Sequence, residues 1–273
     1  MINVNNISFK YAGQKRLVFE DFSLSLEENR IYGLLGKNGM GKSTLLYLIA
    51  GLLRPTKGTV CCESVVTCKR EAETLQEMFL VPEEFDLPSM TLNKYARLME
   101  DFYPRFSREV LERCLKDFEL STDLNLSNLS MGQKKKVFMS IALAAQTRYL
   151  LMDEPTNGLD IPSKSQFRKV VAENMSEDRM LIISTHQVHD VEALLDHVMI
   201  LTERELLLNA SVAEITEKYA FEMRMPQEMD DTVIYAEPSL QGNIAMVRRT
   251  ADMPETQVNL ELLFNAVTKG LVK

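Results

Sequence analysis

Three features of the sequence predict an α/β fold with a mostly parallel sheet: short apolar runs, helical patterns between them, and a glycine-rich loop that turns one such run into a helix. The runs Arg30 to Leu35, Tyr149 to Met152 and Met180 to Ser184 lack the polar–apolar alternation of half-exposed strands. Strands of a parallel sheet read this way because helices cover both of its faces.

The elements follow in chain order. Asn3 to Phe9 and Leu17 to Leu26 predict two strands, with Tyr11-Ala-Gly13 as the turn signal between them. Arg30 to Leu35 is a buried strand that ends in the glycine-rich loop. Ser43 to Leu53 carries apolar residues in a nearly unbroken row, which predicts a buried helix closed by Pro55. Gly58 to Val81 is strand-like at both ends. Between Thr91 and Phe118 apolar residues recur at three and four, predicting two helices split at Pro104, and a third helix follows Ser130. After the strand at Tyr149, Lys164 to Met175 places Phe167, Val170, Val171 and Met175 on one helical face. The strand at Met180 is followed by a short helix at Val191 to Leu195. From about residue 205 the character changes. Short strands at Thr232 to Ala236 and Ile244 to Arg248 and a helix at Val258 to Thr268 predict a small α+β appendage.

At roughly 150 residues per domain, this length suggests one large domain and an appendage, here residues 1–210 and 211–273. With 45% hydrophobic residues in 273, the chain can bury a sizeable core. Lys and Arg number 31 against 39 Asp and Glu, a net charge of −8 that argues against a nucleic-acid partner. Four cysteines, two of them adjacent at Cys61 and Cys62, make no disulfide framework and fit a reducing compartment. The start has no secretory signal pattern, and no stretch reaches the ~18 apolar residues that a bilayer crossing needs. A zinc site at Cys61, Cys62 and Cys68 lacks a fourth ligand at recognised spacing, so these thiols read as small buried hydrophobes.

Three motifs carry chemistry. Gly36-Lys37-Asn38-Gly39-Met40-Gly41-Lys42-Ser43-Thr44 matches G-x-x-x-x-G-K-[ST] between a strand and a helix. Its glycines let successive N–H groups turn around phosphate oxygens, and the helix start adds unsatisfied donors. Lys42 would reach the β- and γ-phosphates, and the Ser43 hydroxyl would bind Mg²⁺. Next, Asp153 and Glu154 end an apolar strand. Asp153 suits a hard cation, and Glu154 would orient or deprotonate an attacking water. Last, Leu129-Ser130-Met131-Gly132-Gln133 opens a helix, with Ser130 as an N-cap or a phosphate contact. Lys134, Lys135 and Lys136 beyond it are a solvated turn or a source of positive potential near an anion.

The phosphate loop, Leu-Ser-x-Gly-Gln and Asp-Glu-Pro-Thr, in this order, resemble the nucleotide-binding subunit of an ABC transporter over residues 1 to about 210. The resemblance implies a P-loop NTPase core with a mostly parallel sheet, an antiparallel β subdomain and a helical insertion at about residues 84–128. It implies ATP hydrolysis with ATP and Mg²⁺. Tyr11 sits where the family stacks an aromatic on adenine, against the alternative of a packed strand-end tyrosine. Asn157-Gly-Leu-Asp160 is similar to the D-loop that crosses to a partner subunit, and His186 falls at the histidine that senses the γ-phosphate. A metal pair at His186 and His189 is the rival reading, without a third ligand at suitable spacing.

Two positions depart from the family pattern. Glu83 stands where a glutamine commonly touches Mg²⁺ and the attacking water, and Met131 replaces the first glycine of the signature. The resemblance further implies two copies head to tail, or a copy with a homologous subunit, holding ATP between one loop and the other chain's Ser130, Gly132 and Gln133. It implies separate transmembrane permease subunits, docked on the insertion through residues such as Phe85, Leu87, Met90, Phe102, Tyr103 and Phe106, and a cytoplasmic location on the inner face of the membrane. Those apolar residues read equally as the insertion's own core. The segment from Asp101 to Phe106 is similar to an exporter-type branch found beside drug or acetoin-related permeases. The alternative is a soluble clamp or assembly factor, for example in iron–sulfur assembly.

Overall fold

The computed structural model describes residues 1–203 and 205–272; Lys273, the last residue of the expected appendage, lies outside them. The chain runs β1 (Ile2–Phe9), β2 (Phe19–Leu26), β3 (Ile31–Leu35), α1 (Lys42–Ile49), β4 (Lys57–Cys62), β5 (Val65–Val66), α2 (Ala72–Gln76) and β6 (Met78–Val81). Then come α3 (Leu92–Phe102), α4 (Arg108–Asp117), α5 (Met131–Ala144), β7 (Tyr149–Asp153), α6 (Ile161–Glu173), β8 (Met180–Thr185), β9 (His197–Leu201) and β10 (Leu206–Ser211). The last elements are α7 (Val212–Lys218), β11 (Tyr219–Arg224), β12 (Val233–Ser239), β13 (Gly242–Arg248) and α8 (Leu260–Thr268).

The central sheet has the order β10-β9-β3-β8-β7-β6, parallel except for the β10 edge. Both of its faces are covered, and the alternation along each strand shows how. Tyr32, Leu34, Leu151, Ile182 and Met199 enter one core with α1 and the antiparallel sheet β2-β1-β4-β5. Leu35, Leu150, Met152, Ile183 and Val198 enter the other with α4, α5, α6 and α8. Two-sided burial removes any reason for polar residues on these strands, so they read as continuous apolar runs.

Several boundaries differ from expectation. Helix α1 stops at Ile49 rather than running to Leu53. Gly51 has φ 67°, the Leu52 N–H donates to Tyr47 O and the Gly51 N–H to Leu48 O, a Schellman end that precedes Pro55. A Cβ on Gly51 would meet Thr67 O at 2.2 Å. The expected helix at Val191 to Leu195 is two 3-10 turns, Val188–Asp190 and Glu192–Leu194. So short a segment follows its packing rather than its spacing, and Leu195 is drawn inward over Gly33, where a Cβ would lie 2.3 Å from Leu195 Cδ1. Helix α6 starts earlier, at Ile161, with Asp160 as its cap and Pro162 in the first turn.

Residues 206–211 belong to the central sheet as its antiparallel edge, so the appendage does not begin at 205. The three-stranded sheet β11-β13-β12 follows. Its core is not separate: Phe221, Met246, Leu260, Leu263 and Val267 join the same apolar cluster as β3 and β8, leaving Ala220, Ala245 and Val247 as a small satellite. In the helical segment, Leu87 is buried, and Phe85, Met90 and Phe106 pack on the core. Phe102, by contrast, is 62% exposed. Cys62 and Cys114 are buried, and burial pushes both thiols up to about 12.

Candidate functional site

The phosphate loop leaves the buried end of β3 and turns into α1. Gly39 and Gly41 have φ of 82° and 97°, which L side chains rarely adopt, and a Cβ on Gly41 would meet Val18 Cγ1 at 2.9 Å. Gly41 is the cap of α1 and offers no side chain to it, so the first N–H groups of the helix stay available. The Lys42 side chain folds back, donating to Gly36 O at 2.8 Å and to Lys37 O at 3.4 Å. Its ammonium also lies 3.3 Å from Glu154 Oε1. Lys37, Asn38 and Gly39 are exposed, Met40 and Ser43 half-buried, and Thr44 buried. Tyr11 bridges to this helix start through a 2.9 Å hydrogen bond between its hydroxyl and Thr44 Oγ1, with its ring edge-on to Phe9.

Sheet order brings the carboxylates in. Strand β8 separates β3 from β7, and Ser184 is the register partner of both Leu34 and Asp153. The Ser184 hydroxyl donates to Asp153 Oδ1, while Asp153 Oδ2 is buried with no hydrogen-bond partner among the described residues. Burial raises the Asp153 pKa above its ordinary value, against the hydrogen bond from Ser184 and the nearby Ser43 hydroxyl. Glu154 is held in the left-handed region at φ 47°, a conformation that costs on the order of 1–3 kcal/mol unless its surroundings impose it. Its N–H donates to Ser184 O at 3.0 Å, and Oε1 lies 2.9 Å from His186 Nδ1. Neither the Lys42 nor the His186 contact to Oε1 is aligned as a hydrogen bond. Glu83 approaches from the end of β6, where its Oε1 accepts from Asn157 Nδ2 at 2.8 Å.

The oxygen set fits a hard divalent cation: a carboxylate with a partnerless buried oxygen, Asp153, beside the Ser43 hydroxyl. Among the described residues, no three His, Cys, Asp or Glu side chains form a metal cluster by themselves. His186 faces Glu154, whereas His189 faces Glu261 at 2.8 Å, so the two histidines serve different partners.

The signature turn lies apart from this cluster. The Ser130 hydroxyl accepts from the Gln133 N–H at 3.3 Å, and Gln133 Oε1 accepts from the Ser130 N–H at 3.0 Å, a reciprocal capping box. Ser130, Met131 and Gln133 are exposed, and a Cβ on Gly132 would meet nothing within 4 Å. Asp160 caps α6 by accepting from the Ser163 N–H at 2.9 Å, which lowers its pKa. The lysines after the signature take neither expected role as a group. Lys136 bonds Gln166 at 2.9 Å, Lys134 lies 3.8 Å from Asp86, and Lys135 is buried.

Sequence reasoning missed Ser184 and the contribution of α8. A serine at a strand end is common, and only strand order places it on Asp153. Helix α8 brings Phe264 and Asn265 to a cavity of about 500 Å³ shared with Gly36, Lys37 and His186.

The model of the family described as "ABC transporter" matches residues 19–157. The ABC transporter ATP-binding protein NatA of Bacillus subtilis is 30% identical over 226 residues, covering 80% of this chain and 92% of that protein. A solved ATP-binding subunit of an ABC transporter superposes with a TM-score of 0.69 at 26% identity, covering 78% of this chain and 91% of the other. The ATP-binding cassette MJ0796, in a dimeric post-hydrolysis state bound to ADP and Pi, gives a TM-score of 0.66 at 23% identity over 77% of this chain and 98% of that one.

Proposed function

This chain belongs to the ABC transporter family as an ATP-binding subunit and ATPase, and from that premise we propose that two copies close head to tail on ATP to drive a separate membrane permease. The observation that carries the reading is the contrast between a buried Lys42–Glu154 pair beside the phosphate loop, with His186 at its open edge, and an exposed signature turn that makes no hydrogen bond to it. A site complete in one chain would have no use for a second glycine-bearing helix start facing solvent.

In the closed pair the loop N–H groups and Lys42 hold the phosphates of ATP, and Tyr11 offers its ring to the adenine. Ser130, Gly132 and Gln133 of the other copy reach the γ-phosphate. Ser43 and Asp153 would hold Mg²⁺, which supplies neutralisation of charge on the β- and γ-phosphate oxygens. Glu154 accepts a proton from the attacking water as its oxygen bonds to the γ-phosphorus. The bond to the bridging oxygen then breaks and ADP leaves. His186 supports Glu154 and contacts the γ-phosphate, and Glu83 orients the water side of the site. Loss of the γ-phosphate removes the contact between copies, and the pair opens.

The permease side is a cleft of about 590 Å³ lined by Leu75, Phe79, Tyr95, Met99, Phe102, Tyr103 and Phe138, apolar in most of its wall. An apolar cleft with an exposed Phe102 at its rim suits a short amphipathic helix of a permease. No helix among the described residues is long and apolar enough to cross a membrane. Attachment at the inner membrane face would come through that partner. The relatives' names are those of transporter subunits, which leaves the soluble-clamp alternative without support.

The test is the oligomeric state of Glu154→Gln in saturating MgATP by sedimentation. The carboxamide keeps the contacts and removes the base, so the expected result is a trapped dimer. A purely monomeric variant under those conditions would sink the sandwich.

A further inference from the structure

Behind the turn that carries Glu154 stands a buried cation with no part in the chemistry just described. Lys135, the fifth residue of α5, is only 7% exposed. Its ammonium donates to Asn157 O at 2.7 Å and to Glu154 O at 3.3 Å. Both acceptors lie in the tight segment between β7 and α6. Glu154 keeps its left-handed φ of 47° only because the surroundings impose it: Ser184 O takes its N–H, and its carbonyl accepts from both the Asn157 N–H at 3.2 Å and the Lys135 ammonium.

Asn157 is shared. Its carbonyl accepts from Lys135, and its Nδ2 donates to Glu83 Oε1 at 2.8 Å. Burial pushes the Lys135 ammonium toward its neutral form, and the carboxylates of Glu83, Glu154 and Asp153, in that order, push it back. One buried positive charge therefore stands among the acidic groups at the water side of the site, and the Glu83 carboxylate is linked to it through the two ends of one residue, Asn157.

We propose that Lys135 is a positioning residue for hydrolysis: it holds the strained backbone of Glu154 in place and offsets the Glu83 carboxylate through Asn157. It touches neither nucleotide nor water. Because Ser130 caps the same helix, five residues before Lys135 and about 7 Å along its axis, α5 joins the turn that meets the partner's ATP to this chain's own base. The inference rests on Glu154 being that base.

The experiment measures steady-state ATP hydrolysis and equilibrium MgATP binding by the full chain. The variants are Lys135→Met, Lys135→Gln, Glu83→Gln and the Lys135→Met/Glu83→Gln double, with Glu154→Gln as reference. Lys135→Met is expected to lower kcat at least about tenfold while KM and the binding constant stay within about threefold, the pattern of a group that acts through the base. In the Glu83→Gln background the same change is expected to cost severalfold less, since the Glu83 carboxylate is no longer there to offset and only the hold on the Glu154 backbone is lost. Lys135→Gln, which keeps a donor without the charge, is expected to lie between wild type and Lys135→Met, and it stands in if the methionine variant fails to fold.

Undiminished kcat in either Lys135 variant would overturn the proposal. So would an equal loss in both backgrounds, or a parallel fall of kcat, nucleotide affinity and melting temperature, the mark of a merely structural lysine. If Glu154→Gln itself hydrolyses ATP normally, the base assignment fails instead. An inactive Glu154→Gln beside fully active Lys135 variants defeats this inference alone.

Discussion

The phosphate loop and the signature turn are both glycine-bearing helix starts with a serine at hand, yet the structure finishes them in opposite ways. At α1 the cap is Gly41, in a left-handed conformation and without a side chain, so the leading N–H groups remain open to an anion. At α5 the cap is Ser130 in extended backbone, and its reciprocal bonds with Gln133 close the same kind of donors. A nucleotide meets a ready cradle at the first and must displace a capping box at the second. Glycines before a helix make an anion site only where no side chain has already satisfied the cap. In the proposed head-to-tail pair, that difference suits the loop to binding within one chain and the signature to the event that would join two.

The largest expected effect comes from removing the loop's inward cation. Lys42→Ala should lower hydrolysis by about 10²–10³-fold, the size seen when one aligned charge-stabilising group is lost, and should weaken MgATP binding as well. Normal binding and turnover would erase the distinction, because the loop would then not be the phosphate site. Gly132→Asp sharpens it from the other side. Open space around Gly132 predicts an unchanged melting temperature and unchanged nucleotide binding by the single chain. Hydrolysis should fall about 10–100-fold as a carboxylate meets the partner's γ-phosphate. A fall in binding to the single chain would mean that the signature serves its own loop.

Smaller effects follow. Ser130→Ala removes the cap hydroxyl, costing about 1 kcal/mol and lowering Tm by about 2–4 °C for a chain of this size. No change in a thermal melt would show the capping box to be idle. His189 tests the link from the turn after β8 to α8. The Glu261 carboxylate beside it raises its pKa above the usual 6.5. A raised histidine pKa gives stability that is full below the ordinary value and lost as pH climbs through the raised one. The Tm gap between wild type and His189→Gln should therefore be wider at pH 6 than at pH 9, by about 1 °C given the exposure of the pair. A gap independent of pH would show that the His189–Glu261 pair does not hold α8.

Much of the strand and helix pattern is legible in the residues, because two-sided burial leaves an unmistakable apolar run at β3, β7 and β8. Helix ends are less so. Gly51 rather than Pro55 ends α1, since the left-handed turn and the close approach of Thr67 come before the proline is reached. The Val191–Leu195 segment has helical spacing but not the length, and packing of Leu195 on Gly33 outweighs it. Of the docking candidates, Leu87 is buried and Phe85, Met90, Tyr103 and Phe106 pack on the core, while Tyr103 and the exposed Phe102 also line the cleft. Helical spacing marks an apolar face without saying what covers it.

By itself the sequence determined the glycine-rich loop and the Ser130 cap, because nine contiguous residues with glycines at left-handed positions, or a Ser-x-x-Gln pair, need only local backbone rules. Tertiary structure alone decided which distant groups meet. Strand order put β8 between β3 and β7 and so set Ser184 on Asp153. The orientation of α5 turned Lys135 into the interior while Lys134 and Lys136 stayed nearer the surface. The last helix closed over the turn that follows β8. Each of these is settled by the burial of whole faces summed over the chain, a quantity that no short stretch of sequence carries.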